Sequence, residues 1–186
     1  MKLYIKYMVS TSCKMVVKEH LAKLGLHYVS ISLGEIEIIE NITEWQREQM
    51  KLGLKEFGLE LIDDSKSILV EKIKNAVIEL VRYAEEIPKI NFSEHLSRKL
   101  NYNYTYLSNI FSETQSTTIE HFIIAHRIER AKELIAYNEL NLTEISWKLN
   151  YSSVAHLSNQ FKKVTGLTPS IFKSLKHKNR CVLENV

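Results

Sequence analysis

Residues 149–170 read LNYSSVAHLSNQFKKVTGLTPS, and residues 100–120, about 50 positions earlier, read LNYNYTYLSNIFSETQSTTIE. Leu-Asn-Tyr opens each stretch, at 100–102 and 149–151, and Leu-Ser-Asn-x-Phe follows at 107–111 and 157–161. Thr118 and Phe122 recur as Thr168 and Phe172. The later copy carries one more residue between its first two blocks, which a surface turn can absorb. A period of this length met only twice is too short-lived for a solenoid; it predicts two copies of one supersecondary unit.

Ser93 and Thr143 occupy equivalent places, each followed by Glu, and each hydroxyl can cap a short helix, over 94–100 and 144–149. Both short helices end at an Asn-Tyr turn. Second helices follow over 104–113 and 154–165, with Leu and Phe four apart on the side that must be buried. A short helix, a tight turn and a second helix make a helix-turn-helix. Between the copies, Ile119, Phe122, Ile123, Ala131, Leu134 and Ile135 fall at helical spacing, predicting one long helix over 118–137 that fixes the separation and angle of the two units.

Upstream the periodicity changes. Residues 2–8 alternate, with Leu3, Ile5 and Tyr7 on one face of a half-buried strand. A helix over 12–25 carries Met15, Val16, His20, Leu21 and Leu24 as its apolar stripe and ends at Gly25. Two further strands, 28–33 and 35–39, flank Gly34 as a hairpin. Thr43 caps a second helix reaching Phe57-Gly58, and 59–62 is a last short strand. The order βαββαβ is the ferredoxin-like plan. Asp63-Asp64-Ser65 then caps a helix running to about Glu86, before Pro88, with Ile68, Leu69, Ile73, Ala76, Val77, Leu80 and Val81 at helical spacing. No Gly, Ser or Pro-rich linker separates the halves, so this helix is expected to bridge them stiffly.

The expected fold class is therefore α+β. A ferredoxin-like domain spans 1–62, an all-α domain with two helix-turn-helix units joined by a long helix spans 63–178, and a tail occupies 179–186. A chain of 186 residues with 45% apolar residues can bury such cores. No window is long and apolar enough to span a bilayer, and MKLYIKYM is no secretion signal, so the cytoplasm is the expected compartment and no membrane partner is expected. The two cysteines, Cys13 and Cys181, offer neither a disulfide framework nor a four-thiol metal site. The formal charge of +3 hides an asymmetry: residues 1–87 hold 12 basic and 14 acidic side chains, residues 88–186 hold 13 and 8. From 142 to 180 seven basic residues face only Glu144. Such a local excess suits a phosphate-facing surface.

Residues 64–178 resemble the C-terminal DNA-binding domain of the AraC/XylS family of bacterial transcription regulators. The residues that carry this are Arg127, Ala131, Leu134 and Ile135, then Leu142-Thr-Glu-Ile-Ser, Asn150-Tyr-Ser-Ser, Leu157-Ser-Asn-Gln-Phe-Lys-Lys, Gly166-Leu-Thr-Pro-Ser and Phe172-Lys. Two departures stand out. Asn150-Tyr151 replaces the family's usual Gly-Phe, and Ser116-Thr-Thr-Ile replaces the Gly-x-Thr-Pro ending in the first copy. The resemblance implies a sequence-specific regulator of transcription whose two recognition helices enter successive major-groove segments of double-stranded DNA. It implies RNA polymerase as a further partner, with the effector unnamed and a monomer or homodimer as the assembly. On that reading Asn103, Tyr104, Thr105, Tyr106, Ser108 and Asn109 face out from the first unit, and Ser152, Ser153, Ala155, His156, Ser158 and Asn159 from the second. Asn suits an adenine edge, Ser and Thr suit bases or phosphates, and Ala suits a thymine methyl; with no outward Arg, an A/T-leaning site is expected. Lys162 and Lys163, with Lys148, Arg98, Lys99 and Arg127, are the candidate phosphate contacts.

The first domain weakly resembles the heavy-metal-associated domains, whose metal loop reads Met-x-Cys-x-x-Cys. Here the loop reads Met8-Val9-Ser10-Thr11-Ser12-Cys13, so one of the two soft ligands is missing. A metal-handling or metal-responsive protein using Cys13 with Met8 is the alternative reading, against a structural thiol; no bound metal and no cofactor is expected. Enzymatic function has no support, since there is no glycine-rich phosphate loop, no His-Glu-x-x-His and no motif-backed nucleophile, and catalytic residues are assigned to none.

Overall fold

The protein is described by a computed structural model over residues 1–83 and 91–175. The described residues divide into two compact units, 1–76 with 96–114, and 77–83 and 91–95 with 115–175.

In the first unit, strand β1 (Lys2–Lys6), helix α1 (Thr11–Lys23), β2 (Tyr28–Ser32), β3 (Glu35–Ile38), α2 (Glu44–Lys55) and β4 (Glu60–Ile62) follow one another as expected. The strands form one antiparallel sheet in the order β2-β3-β1-β4. Leu3 and Ile5 of β1 and Ile36 and Ile38 of β3 pack with Val17 and Leu21 of α1 and Met50 and Leu54 of α2. Burial of alternate strand residues against one helical stripe is what period 2 and period 3.6 together require. The helix starts are chemically fixed. Ser10 Oγ accepts the Cys13 N–H, and Thr43 and Gln46 satisfy each other's backbone groups in a capping box. Gly34 turns the hairpin at φ 74°, and a Cβ there would lie 2.1 Å from the Asn75 side chain, so only glycine fits.

Two expectations for this domain fail. Tyr7 does not continue β1 on its buried face: the strand ends at Lys6, Tyr7 takes φ 67° and is exposed, and Met8 is buried instead. Met15 is 67% exposed, while Val17 lies in the core; Val16, Leu21 and Leu24 of the expected stripe do pack there, so only the edge of the stripe at Met15 is misplaced.

Helix α3 (Ser65–Ile78) is capped by Asp64, whose carboxylate accepts the Ser67 N–H at 2.7 Å. Its polar side chains meet the sheet region: Lys72 Nζ lies 4.6 Å from the Tyr4 ring centroid and 3.6 Å from Glu35, and buried Asn75 donates to the Leu33 carbonyl at 3.2 Å. After α3 a π-helical turn spans Glu79–Tyr83. The expected helix end at Glu86 and Pro88 lies outside the described residues, as do the tail and Cys181.

Helices α4 (Phe92–Leu100) and α5 (Tyr104–Gln115) form the earlier repeat, with Leu96, Leu107, Ile110 and Phe111 buried. In the second unit the long helix is α6 (Ile119–Tyr137), followed by α7 (Leu142–Lys148), α8 (Val154–Thr165) and further helix over 169–175. Its core joins Ile128, Ala131, Leu134 and Ile135 of α6 to Ile145, Leu149, Tyr151, Leu157 and Phe161, with Phe172 packed alongside. Arg82 of the π-helical turn bonds Glu133 of α6 at 3.0 Å, and Arg130 holds the other oxygen of that carboxylate.

Candidate nucleic-acid interface

Each repeat is built the same way from its cap to its last turn. The expected caps Ser93 and Thr143 are not the caps. Asn91 and Asn141 do this instead: the Asn141 side chain accepts the Thr143 and Glu144 N–H groups while Glu144 returns a bond to the Asn141 N–H, and Asn91 accepts from Ser93 at 3.4 Å. An amide oxygen two residues earlier reaches the free donors of the first turn, which a hydroxyl already inside the helix cannot. Both tight turns then pass through an asparagine in the left-handed region, Asn101 at φ 58° and Asn150 at φ 56°. Asparagine is the non-glycine residue that tolerates this best, so the departure from the family's Gly leaves the turn intact. The first copy's ending also survives without glycine, Ser116 at φ 53° matching Gly166 at φ 78°. Thr118 and Thr168 each accept an N–H three residues on and start the next helix.

The second helix of each unit is capped at its start. Asn103 Oδ1 accepts the Thr105 N–H at 2.8 Å, and Ser153 Oγ accepts the His156 N–H at 3.1 Å. Leu107, Ile110 and Phe111 in α5, and Leu157 and Phe161 in α8, point into their cores. Of the residues expected to face out, Asn103, Thr105, Tyr106, Asn109, Ser152, Ser153, Ala155, His156, Asn159, Lys162 and Lys163 are exposed, and Tyr104, Ser108 and Ser158 are half-buried.

The two units are unequal in one respect the repeat conceals. Tyr102 is 48% exposed and stacks on Tyr106, with centroids 5.5 Å apart, whereas its counterpart Tyr151 is 4% exposed. Arg127, a candidate phosphate contact, is half-buried on α6. Its guanidinium is held 4.7 Å from the Phe92 ring and 5.5 Å from the Tyr151 ring, and its Nε is buried with no hydrogen-bond partner among the described residues. Burial lowers its affinity for a proton, and the two ring faces supply the attraction that water would otherwise give. Burial likewise pushes the Tyr151 hydroxyl up to about 12, and its Oη has no hydrogen-bond partner among the described residues. Lys148, Arg98 and Lys99 are exposed.

A prediction follows for Tyr151. An unpartnered buried hydroxyl costs about 1–3 kcal/mol of desolvation, so Tyr151→Phe is expected to stabilise the chain by about 1 kcal/mol. Thermal unfolding checks this, with an expected rise in midpoint of roughly 2–8 °C; a fall would show that Oη has a partner.

Elsewhere, Met8 is fully buried in the sheet core, and Cys13 Sγ lies 3.2 Å from Ser10 Oγ. Burial raises the Cys13 thiol, but hydrogen bonding from Ser10 and the backbone outweighs it, leaving the thiol below its ordinary value. Among the described residues no group of three or more His, Cys, Asp or Glu is placed to hold a metal ion. No described helix is long and apolar enough to cross a membrane.

A short helix, a tight turn and a second helix with buried Leu and Phe recur in α4–α5 and in α7–α8, and residues 96–174 match the helix-turn-helix domain family. This domain is of the AraC type. Among curated relatives, an uncharacterized HTH-type transcriptional regulator of Bacillus subtilis, YtdP, is 29% identical over 83 residues, covering 45% of this chain and 11% of that protein. The Msm operon regulatory protein of Streptococcus mutans is 28% identical over 99 residues, covering 49% of this chain and 36% of the relative. The chain thus spans about a tenth to a third of the length of these relatives. The C-terminal domain of AraT, a response regulator from Geobacillus stearothermophilus, matches with a TM-score of 0.51 and 22% identity, over 60% of this chain and 88% of that one, and shows a shared fold.

Proposed function

We propose that the chain is a sequence-specific DNA-binding regulator of transcription that reads double-stranded DNA with two recognition helices, α5 and α8. The observation that carries this is the outward polar set of both helices, each anchored by a buried Leu and Phe four apart. The AraC-type domain supports it, as do the curated relatives' names. Residues 63–178 are the DNA-binding domain on this reading, and residues 1–62 are a sensor, dimerising or partner-binding domain. RNA polymerase is a further partner, and the chain acts as a monomer or homodimer, since two reading helices in one chain already suit a bipartite site.

Selection of bound sequences from random duplex DNA tests the proposal. The expected outcome is a bipartite, A/T-leaning site whose halves lie about one helical turn, roughly 10 base pairs, apart. Enrichment of no sequence overturns the function. Guanines fixed at most positions overturn the assignment of the outward residues.

A further inference from the structure

We infer that Ser152 and His156 act as one base-reading unit, and that they place a guanine in the otherwise A/T-leaning half-site under the first turn of α8. This rests on the function proposed above and adds to it a named base and the pair that selects it. His156 is exposed in the first turn of α8. Its ring is fixed from two sides. Nδ1 lies 3.0 Å from Ser152 Oγ, and the ring stands edge-on to Tyr151, with centroids 5.2 Å apart and planes at 87°. Tyr151 is itself immobilised, buried in the core and lying beneath the Arg127 guanidinium.

Such an imidazole enters a groove already oriented, with little side-chain freedom left to lose. The contact allows either tautomer; in the one proposed, the Ser152 hydroxyl donates to Nδ1 and the ring's proton sits on Nε2, the polar atom left for DNA. A lone donor suits the major-groove acceptors, and guanine alone sets two side by side, N7 and O6. Ala155 beside it carries no polar side-chain atom, and the short Ser153 side chain is held against the backbone by accepting the His156 N–H. His156 is therefore the outward residue of this turn with both reach and a fixed donor.

Site selection with the full chain, run in parallel for wild type, His156→Ala, Ser152→Ala and Ser152→Thr, tests the pair. Expected is one guanine position whose preference falls about tenfold in His156→Ala, the size of one mismatched base pair. It falls less in Ser152→Ala and is kept in Ser152→Thr, which retains the hydroxyl. All variants are compared below their unfolding transitions, and the loss at the guanine position should exceed any loss of affinity for random duplex. A wild type that selects a site whose preferences all survive in His156→Ala and Ser152→Ala overturns the inference and leaves the proposed function standing. Equal weakening on every sequence assigns His156 to phosphate and also overturns it. A wild type that selects no sequence overturns the function itself, and this inference with it.

Discussion

Phe161→Ala is expected to destabilise the second unit by about 3–5 kcal/mol, the range for deleting a buried aromatic side chain. Phe161 is fully buried and sits among residues of α6, α7 and α8. Its ring meets Phe172 edge-on, with centroids 5.5 Å apart and planes at 66°, an arrangement worth about 0.5–1.5 kcal/mol beyond the area it buries. The loss is a large share of a stability that for most domains is about 5–15 kcal/mol in all. Denaturant titration checks it, as a lowered midpoint at unchanged slope. The outward residues of α8 keep their identity in this variant, so DNA binding should fall only in proportion to the unfolded fraction. A cost under about 1 kcal/mol would mean that the site closes around the cavity and that the repeated Phe is not what seats α8. Ser158→Ala, half-buried on the same helix, is the control, with an expected change within about 0.5 kcal/mol.

The repeat made the helical half legible because Leu107, Phe111, Leu157 and Phe161 are periodic and buried, and burial is the strongest force that writes a pattern into sequence. The sheet was legible for the same reason, with Gly34 marking the hairpin. Where the reading failed, a local backbone choice outranked the periodicity. Tyr7 continues a perfect alternation, yet a left-handed residue ends the strand there. The caps were misplaced by two residues because Ser93 and Thr143 offer hydroxyls before Glu; the signal that decides is Asn-x-x-Glu, present at 91–94 and 141–144. The partial burial of Arg127 could not be read from its own position. A basic residue near a basic surface looks like a phosphate contact, and its burial depends on Phe92 and Tyr151, which lie 35 and 24 positions away. The different fates of Tyr102 and Tyr151 were equally hidden, since identical triplets differ only in what the fold lays over them. The outward residues of the two helices needed only the helical period once the inward Leu and Phe were known.

Replacing Lys162 and Lys163 together with Ala is expected to weaken binding on every DNA sequence alike and to flatten its dependence on salt. Both are exposed in the last turn of α8, and neither is paired with a carboxylate among the described residues. A cation that neutralises a phosphate releases condensed counterion, so log affinity falls against log salt with a slope of about 0.9 per neutralised phosphate on duplex DNA. Removing both cations should reduce the slope by about 1.8, and at ~0.15 M salt the same relation gives about fivefold per lysine and ~30-fold for the pair. Base preferences should be unchanged, because a phosphate carries no sequence. These lysines also sit at the negative end of the helix dipole, and losing them can cost about 0.3–1 kcal/mol of stability each. Affinity is therefore measured below the unfolding transition of the variant, where that cost does not alter the folded fraction. Titration of one selected and one random duplex from roughly 50 to 300 mM salt, a range that brackets the physiological ionic strength, separates the outcomes. An unchanged slope on both puts the two lysines away from the backbone. A reduced slope on the selected duplex alone makes them part of sequence reading, and an equal reduction on both makes them the sequence-independent anchor of α8.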